Sequence, residues 1–272
     1  MTETLHVVVP TPAHSSLAGA LTYRSELPLS PGALVRVPLG KREVCGVVWD
    51  APQQDAPEPA GELKAILEPL PGLPPLTAAW RELVGFAAGY YQRSLGEVAL
   101  AALPPQLRGL DATQLARRLK RPTATQSPAA AGARREPTAD QRHALESIAA
   151  EAGPFLLFGA TGSGKTEVYL RAVEGLLQRD PEAQAMVLVP EINLTPQLQA
   201  RFEERFGAGA VAPLHSGMTH PQRLRSWMAA HLGSARIVLG TRMAVFASLP
   251  RLGLIVVDEE HDPSYKQQEG AR

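Results

Sequence analysis

Eight consecutive residues constrain this chain more than any others: Gly159-Ala160-Thr161-Gly162-Ser163-Gly164-Lys165-Thr166. They fit G-x-x-x-x-G-K-[ST], a pattern that binds phosphate only between a strand and a helix. Both flanks suit it. Pro154–Phe158 (PFLLF) reads as a short buried strand, and a helical pattern runs over 166–178. Glycines let the loop curl so that its N–H groups face phosphate, and the helix N-terminus adds partial positive charge. Lys165 is then placed to reach the β- and γ-phosphates, and the Thr166 hydroxyl to ligate Mg²⁺. The bland alternative is a glycine-rich turn.

A loop of this kind calls for a parallel sheet, and the rest of this half supplies one. Ala185–Val189, Val211–Leu214, Arg236–Leu239 and Leu254–Val257 are short apolar runs separated by helical patterns at 195–206 and 219–232. The spacing predicts a doubly wound α/β domain. Leu254–Val257 leads straight into Asp258-Glu259-Glu260-His261. Asp258 therefore emerges at the C-terminal edge of a buried strand, where such sheets bind ligands. Asp258 suits Mg²⁺ binding, through water, and Glu259 the role of general base toward an attacking water. Thr138-Ala139-Asp140-Gln141 reads two ways. Thr-x-x-Gln is a capping box, and a glutamine amide also pairs with the N6/N7 edge of adenine.

The first hundred residues have a different period. Leu5–Val9, Ala33–Val37, Val44–Trp49 and Leu63–Leu67 are rich in β-branched residues and punctuated by proline, which predicts a compact β unit. Residues 51–62 read as an exposed loop. From Leu76 a helical stripe of Leu76, Trp80, Leu83, Val84, Ala87 and Tyr91 runs to about Ser94, and Trp80, Tyr90 and Tyr91 fit its core better than a base-stacking platform.

Formal net charge is zero, with 27 basic and 27 acidic residues, but it is unevenly distributed. Residues 1–103 carry 7 basic and 10 acidic side chains, residues 104–135 carry 7 against Asp111 alone, and the remainder 13 and 16. The basic block is a solvated linker or a contact for phosphates. If six of its charges meet single-stranded phosphates, log K falls against log salt with a slope near about −4. Residues 120–137 have linker composition and mark a boundary, while 111–120 predict one short basic helix. One cysteine, Cys45, excludes an intrachain disulfide or a cysteine-built zinc site, and its apolar strand pattern reads as buried. The seven histidines lack metal-ligand spacing, and only His261 adjoins the acidic pair. No apolar run approaches the ~20 residues that span a bilayer. With no basic-then-apolar leader, cytoplasmic localisation is expected.

Together the stretches GATGSGKTEVYL, VPEINLTPQL (189–198), LHSGMTHPQRLRSW (214–227) and GTRMAVFASLPRLGLIVVDEEHDPSYKQQEG (240–270) resemble the first motor lobe of superfamily 2 DNA helicases. Their wording is similar to the PriA family of bacterial replication-restart helicases. The pattern VVVPTP…LTY…PGALVRVPLGKREVCGVV…LKAILEPLP resembles that family's small domain for the 3′ end of a nascent strand. The resemblance implies a P-loop RecA-like parallel-sheet motor lobe at 138–272, a β-rich DNA-binding domain at 1–103 and a linker at 104–137. It implies ATP and Mg²⁺ as cofactors, with Lys165, Asp258 and Glu259 catalytic, Thr166 and Asp258 on the metal, and Gln141 reading adenine. It implies DNA contacts by Gly40, Lys64, Gln197, Thr241, Arg242, Tyr265 and Lys266, the last two on an aromatic-rich loop that senses DNA. Ala20-Leu21-Thr22-Tyr23 departs from the usual aromatic-Asp pair, and Ala271 stands where relatives often have an aromatic.

Expected partners are branched and single-stranded DNA, primosome proteins and single-stranded DNA-binding protein, with no membrane. The family also has a winged helix, a second motor lobe with an arginine finger, and a C-terminal zinc module. None of these is seen in this sequence, so zinc is expected only in that missing part. An arginine finger contributes ~10³–10⁵ in rate, about 4–7 kcal/mol. Without it the chain is expected to bind DNA and, weakly, nucleotide, but not to unwind. The alternatives are a non-catalytic fork- or partner-binding module and another superfamily 2 translocase.

Overall fold

The computed structural model describes residues 2–11, 19–51, 62–120, 136–160, 162–191 and 194–266. Contacts divide the chain into two units that are not contiguous in sequence. The first comprises Met1–Pro122, Met218–Leu232 and Phe246–Pro250; the second takes the rest.

In the first unit, β1 (Glu3–Val8), β2 (Leu21–Ser25), β3 (Leu34–Leu39), β4 (Arg42–Trp49) and the short β5 (Glu68–Pro69) form an antiparallel sheet in the order β2-β1-β4-β3-β5. Residues 64–69 curl it shut: Ile66 N–H donates to Arg24 O (3.0 Å) on β2, and Leu67 N–H donates to Arg36 O (2.9 Å) on β3. Leu63–Leu67, expected as a strand, therefore contributes one isolated bridge, Arg24 with Ala65. Valines 7, 9, 35 and 37 fill the inside.

Helices α1 (Ala78–Tyr90), α2 (Leu95–Ala102), α3 (Pro105–Arg108), α4 (Ala112–Leu119) and α8 (His220–His231) pack around a second core of Leu76, Trp80, Leu100, Leu107, Leu115, Leu224 and Trp227. The short basic helix is as expected. Of the stretch read as linker, residues 105–108 and 112–119 are helical and bury Leu107 and Leu115. Gly96 is required where α2 crosses β1, because a Cβ there would strike the carbonyl of Val9.

Two expectations for α1 fail. Trp80 is buried, but Tyr90 and Tyr91 are 70% and 63% exposed. Tyr91 lies beyond the helix end, and Tyr90 falls on the opposite face, stacked on Phe86 at 5.7 Å. The helical stripe also stops at Tyr90 and restarts as α2 after the Ser94 cap.

In the second unit, parallel strands β6 (Gln184–Leu188), β7 (Val211–Leu214), β8 (Ile237–Gly240) and β9 (Leu252–Val257) run in the order β7-β8-β6-β9. Helices α5 (Ala139–Ala150), α6 (Lys165–Arg179) and α7 (Pro196–Phe206) complete it. Leu170 and Val173 of α6 and Phe202 of α7 pack with Ala185, Val187, Ile237 and Leu239.

One strand is missing from its expected place. Pro154–Phe158 takes no regular conformation, and Leu156 and Phe158 are 80% and 94% exposed. A run of apolar residues becomes a parallel strand only by pairing. Among the described residues β9 pairs with β6 alone, leaving its outer edge open.

Candidate nucleotide and DNA site

Six of the seven helices of eight or more residues have an N-cap side chain that accepts a backbone N–H: Thr77, Ser94, Asp111, Thr138, Thr195 and Thr219. The exception among the described residues is α6, whose N-cap is Gly164. A helix start without a side-chain cap offers its N–H groups and its dipole to an external anion. Gly162 and Gly164 hold φ of 83° and 86°, which lets the loop turn its backbone inward. Lys165 opens the helix and folds back, its Nζ donating to Gly159 O at 2.7 Å and lying 3.4 Å from Glu259 Oε1. Thr166 is the next residue on α6 and half-buried; Gly159 is half-buried, Ala160 and Ser163 exposed, and Thr161 lies outside the described residues.

Asp258 and Glu259 follow β9. Leu188 O accepts the Asp258 N–H at 2.8 Å, which carries the β6–β9 register one residue past the strand. Asp258 Oδ1 accepts from the Tyr169 hydroxyl (2.8 Å), and its backbone O accepts from the Tyr265 hydroxyl (2.8 Å). Burial, then the neighbouring carboxylates, push both phenols well above the ordinary tyrosine range, so both remain donors. Glu259 adopts φ of 45°, a left-handed conformation unusual for a side-chain-bearing residue. Its Oε2 lies 3.7 Å from His261 Nε2.

These residues fit a magnesium nucleotide. An uncapped helix start and an ammonium at Lys165 suit phosphates, while a carboxylate and a hydroxyl, Asp258 and Thr166, are the hard oxygen donors that Mg²⁺ takes. Gln141 forms the capping box with Thr138: Gln141 N–H donates to Oγ1 (3.3 Å) and Thr138 N–H to Oε1 (3.1 Å). Its Nε2 also donates to Gly164 O at 3.4 Å, which puts this amide beside the loop.

The expected DNA contacts fall in both units. Gly40 sits at the exposed β3–β4 turn with φ of 63°. Lys64 is exposed on the segment beside β2. In the second unit Gln197 is exposed in the first turn of α7, and Arg242 is exposed where a 3-10 turn, Arg242–Phe246, begins. Arg242 Nη1 donates to the carbonyls of Ser264 (3.2 Å) and Lys266 (3.4 Å), which flank Tyr265. Thr241 is only 2% exposed, with an unpartnered hydroxyl; its main chain accepts from Ala244 N–H and donates to Leu214 O. Its hydroxyl is therefore covered, and Arg242 carries the accessible donors of this loop. Lys266 is exposed; Gln267 to Arg272, the end of the aromatic-rich stretch, lie outside the described residues.

Sequence reasoning missed Tyr169. The tyrosine sits one turn past Lys165 on the same helix, a spacing that was visible, but its partner is 89 residues away. It also missed Ser216, whose hydroxyl donates to Glu191 Oε1 at 2.9 Å and ties two of the motif stretches together.

A phosphate-ready helix start facing an Asp-Glu pair at the end of a parallel strand is the arrangement of a P-loop nucleotide-binding lobe. Comparison with known proteins agrees: residues 138–271 match the DEAD/DEAH box helicase family, and residues 6–104 match a 3′ DNA-binding domain, 3′BD. The chain belongs to the PriA family, of which it carries an N-terminal portion. It is 35% identical to the replication restart protein PriA of Haemophilus influenzae over 318 residues, covering 91% of this chain and 43% of the relative. Against the Bacillus subtilis protein of the same name it is 47% identical over 140 residues, covering 50% and 17%. Against that of Helicobacter pylori it is 34% identical over 252 residues, covering 92% and 36%. The chain thus spans less than half the length of these curated relatives. No helix among the described residues is long and apolar enough to cross a membrane.

Proposed function

We propose that this chain is the DNA-gripping and ATP-binding part of an ATP-dependent 3′→5′ DNA helicase of replication restart, which recognises stalled forks and initiates primosome assembly. The observation that carries the reading is the convergence of Lys165 and Glu259, 3.4 Å apart, next to a helix start with no side-chain cap. In this reading residues 1–103 hold a DNA 3′ end, 104–137 lead to the motor with helices 105–108 and 112–119 packed into the first unit, and 138–272 form the first motor lobe.

Lys165 exchanges its bond to Gly159 O for nucleotide phosphate, and Gln141 turns its amide to the adenine edge. Asp258 and Thr166 hold Mg²⁺, which neutralises phosphate charge when bound. Released from Lys165, Glu259 accepts the proton of the attacking water. Gly40 and Lys64 serve the 3′ end, while Gln197, Arg242, Tyr265 and Lys266 serve single-stranded backbone, and the covered Thr241 only shapes the loop that presents Arg242. Primosome proteins and single-stranded DNA-binding protein are proposed partners, the cytoplasm the proposed location, and zinc a feature of the family's C-terminal part.

The test is binding of a fluorescent ATP analogue, then DNA-stimulated hydrolysis, by this chain and by Lys165→Ala. The wild type should bind the analogue and Lys165→Ala should lose at least about tenfold in affinity, since charge-assisted contacts to phosphate go with the ammonium. Equal binding by the two would sink the assignment of the loop. Hydrolysis no faster than Lys165→Ala, with binding intact, would favour a binding module over a motor.

A further inference from the structure

The Mg²⁺-binding role proposed for Asp258 needs its carboxylate held in one orientation, because the side chain otherwise rotates about two bonds. The structure supplies a hold that no motif announces. Tyr169 lies four residues after Lys165, on the same face of α6 one turn further along. Its hydroxyl donates to Asp258 Oδ1 at 2.8 Å, a good distance for a bond to a carboxylate. From a separate element, the 3-10 turn Pro263–Tyr265, the Tyr265 hydroxyl donates to the backbone oxygen of the same residue at 2.8 Å. Asp258 is thereby fixed at its main chain and at one side-chain oxygen.

We propose that Tyr169 is a positioning residue: its phenol orients the Asp258 carboxylate for the divalent cation that accompanies the nucleotide. The helix that presents Lys165 to phosphate thus also sets the metal-binding carboxylate, so both depend on how α6 is seated. This rests on the nucleotide reading above. Phenylalanine fills the same space without the donor, so Tyr169→Phe removes the bond and little else. Partners that orient a ligand from behind typically change metal affinity by about 10–100-fold when lost.

The experiment titrates Mg²⁺ into the chain with a fluorescent ATP analogue, and measures analogue binding in EDTA beside it. Tyr169→Phe should raise the Mg²⁺ half-saturation about tenfold, while affinity in EDTA and the thermal midpoint stay at the wild-type values. An unchanged half-saturation overturns the proposal and leaves the nucleotide site standing. Equal weakening with and without Mg²⁺ also overturns it, because that is the mark of a packing role. A wild type whose binding ignores Mg²⁺ overturns the proposal together with the metal-nucleotide reading beneath it.

Discussion

The two sheets of this molecule are finished in opposite ways. The antiparallel sheet of the first unit is closed by residues 64–69, which bond to both β2 and β3. The parallel sheet of the second unit buries β6 and β8 completely but leaves β9 as an edge, with Ile255 and Val257 exposed. Both are built from similar short apolar runs. What separates them is whether every run finds a pairing partner, because an unpaired edge keeps its N–H and C=O groups facing solvent. In the function proposed above, the closed sheet belongs to the unit that holds a DNA end and the open one to the unit that carries the phosphate loop.

The sharpest test of this contrast is Trp227→Ala. Trp227 comes from the motor stretch of the sequence, yet its side chain belongs to the core of the first unit. The substitution should cost about 3–5 kcal/mol of that unit's stability. Urea unfolding followed by circular dichroism, beside nucleotide binding, checks it. Loss of nucleotide binding in native conditions with no shift of the urea midpoint would assign α8 to the other unit.

His231 provides a pH-dependent test. Its ring is 1% exposed, stacks on Trp227 at 4.6 Å, and bonds to Ser248 Oγ (2.9 Å) and Pro74 O (2.8 Å). Burial lowers its pKa to about 4, below the ordinary 6.5. The unfolded chain therefore binds the extra proton between those values, and stability falls as pH drops from 6.5 toward 4. The expected loss is about 3 kcal/mol, confined to the first unit and much reduced in His231→Gln. A denaturation midpoint flat across this window would contradict a neutral, buried ring.

The smallest effect is expected at the open edge. Ile255→Lys should change stability by less than about 0.5 kcal/mol. It should also reduce self-association at high protein concentration, as edge lysines do. Ile237→Lys, two strands away and fully buried, should unfold the second unit. Light scattering and thermal melts compare the two, and equal destabilisation would mean that β9 is covered in solution.

How much of this was legible follows the same division. The helices at 165–179, 196–206 and 220–231 and the strands β6 to β9 carry long periodic runs, and each lies within a few residues of its expectation. β2 was not anticipated as a strand, because LTYRS has one long apolar residue and one aromatic among polar ones and gains its place by pairing with β1. α2 was missed because its Gly96 reads as a breaker, although the glycine is there for its close approach to Val9. Pro154–Phe158 shows the converse, a strong local signal without a partner strand. In the site, Lys165, Thr166, Asp258 and Glu259 were legible because their chemistry demands fixed neighbours. Tyr169 and Ser216 were not, because their bonds depend on how distant strands register.

The interleaving of the two units along the sequence has a consequence for synthesis. When the ribosome has made residues 1–122, the first unit still lacks Leu224, Trp227 and the Ser248 that His231 bonds. About 130 further residues must be translated before that core can close, a wait of roughly 6–25 s at ordinary elongation rates. Over that interval helices α1 to α4 lack the side chains that complete their shared core, so the first unit is finished only after most of the second has been made.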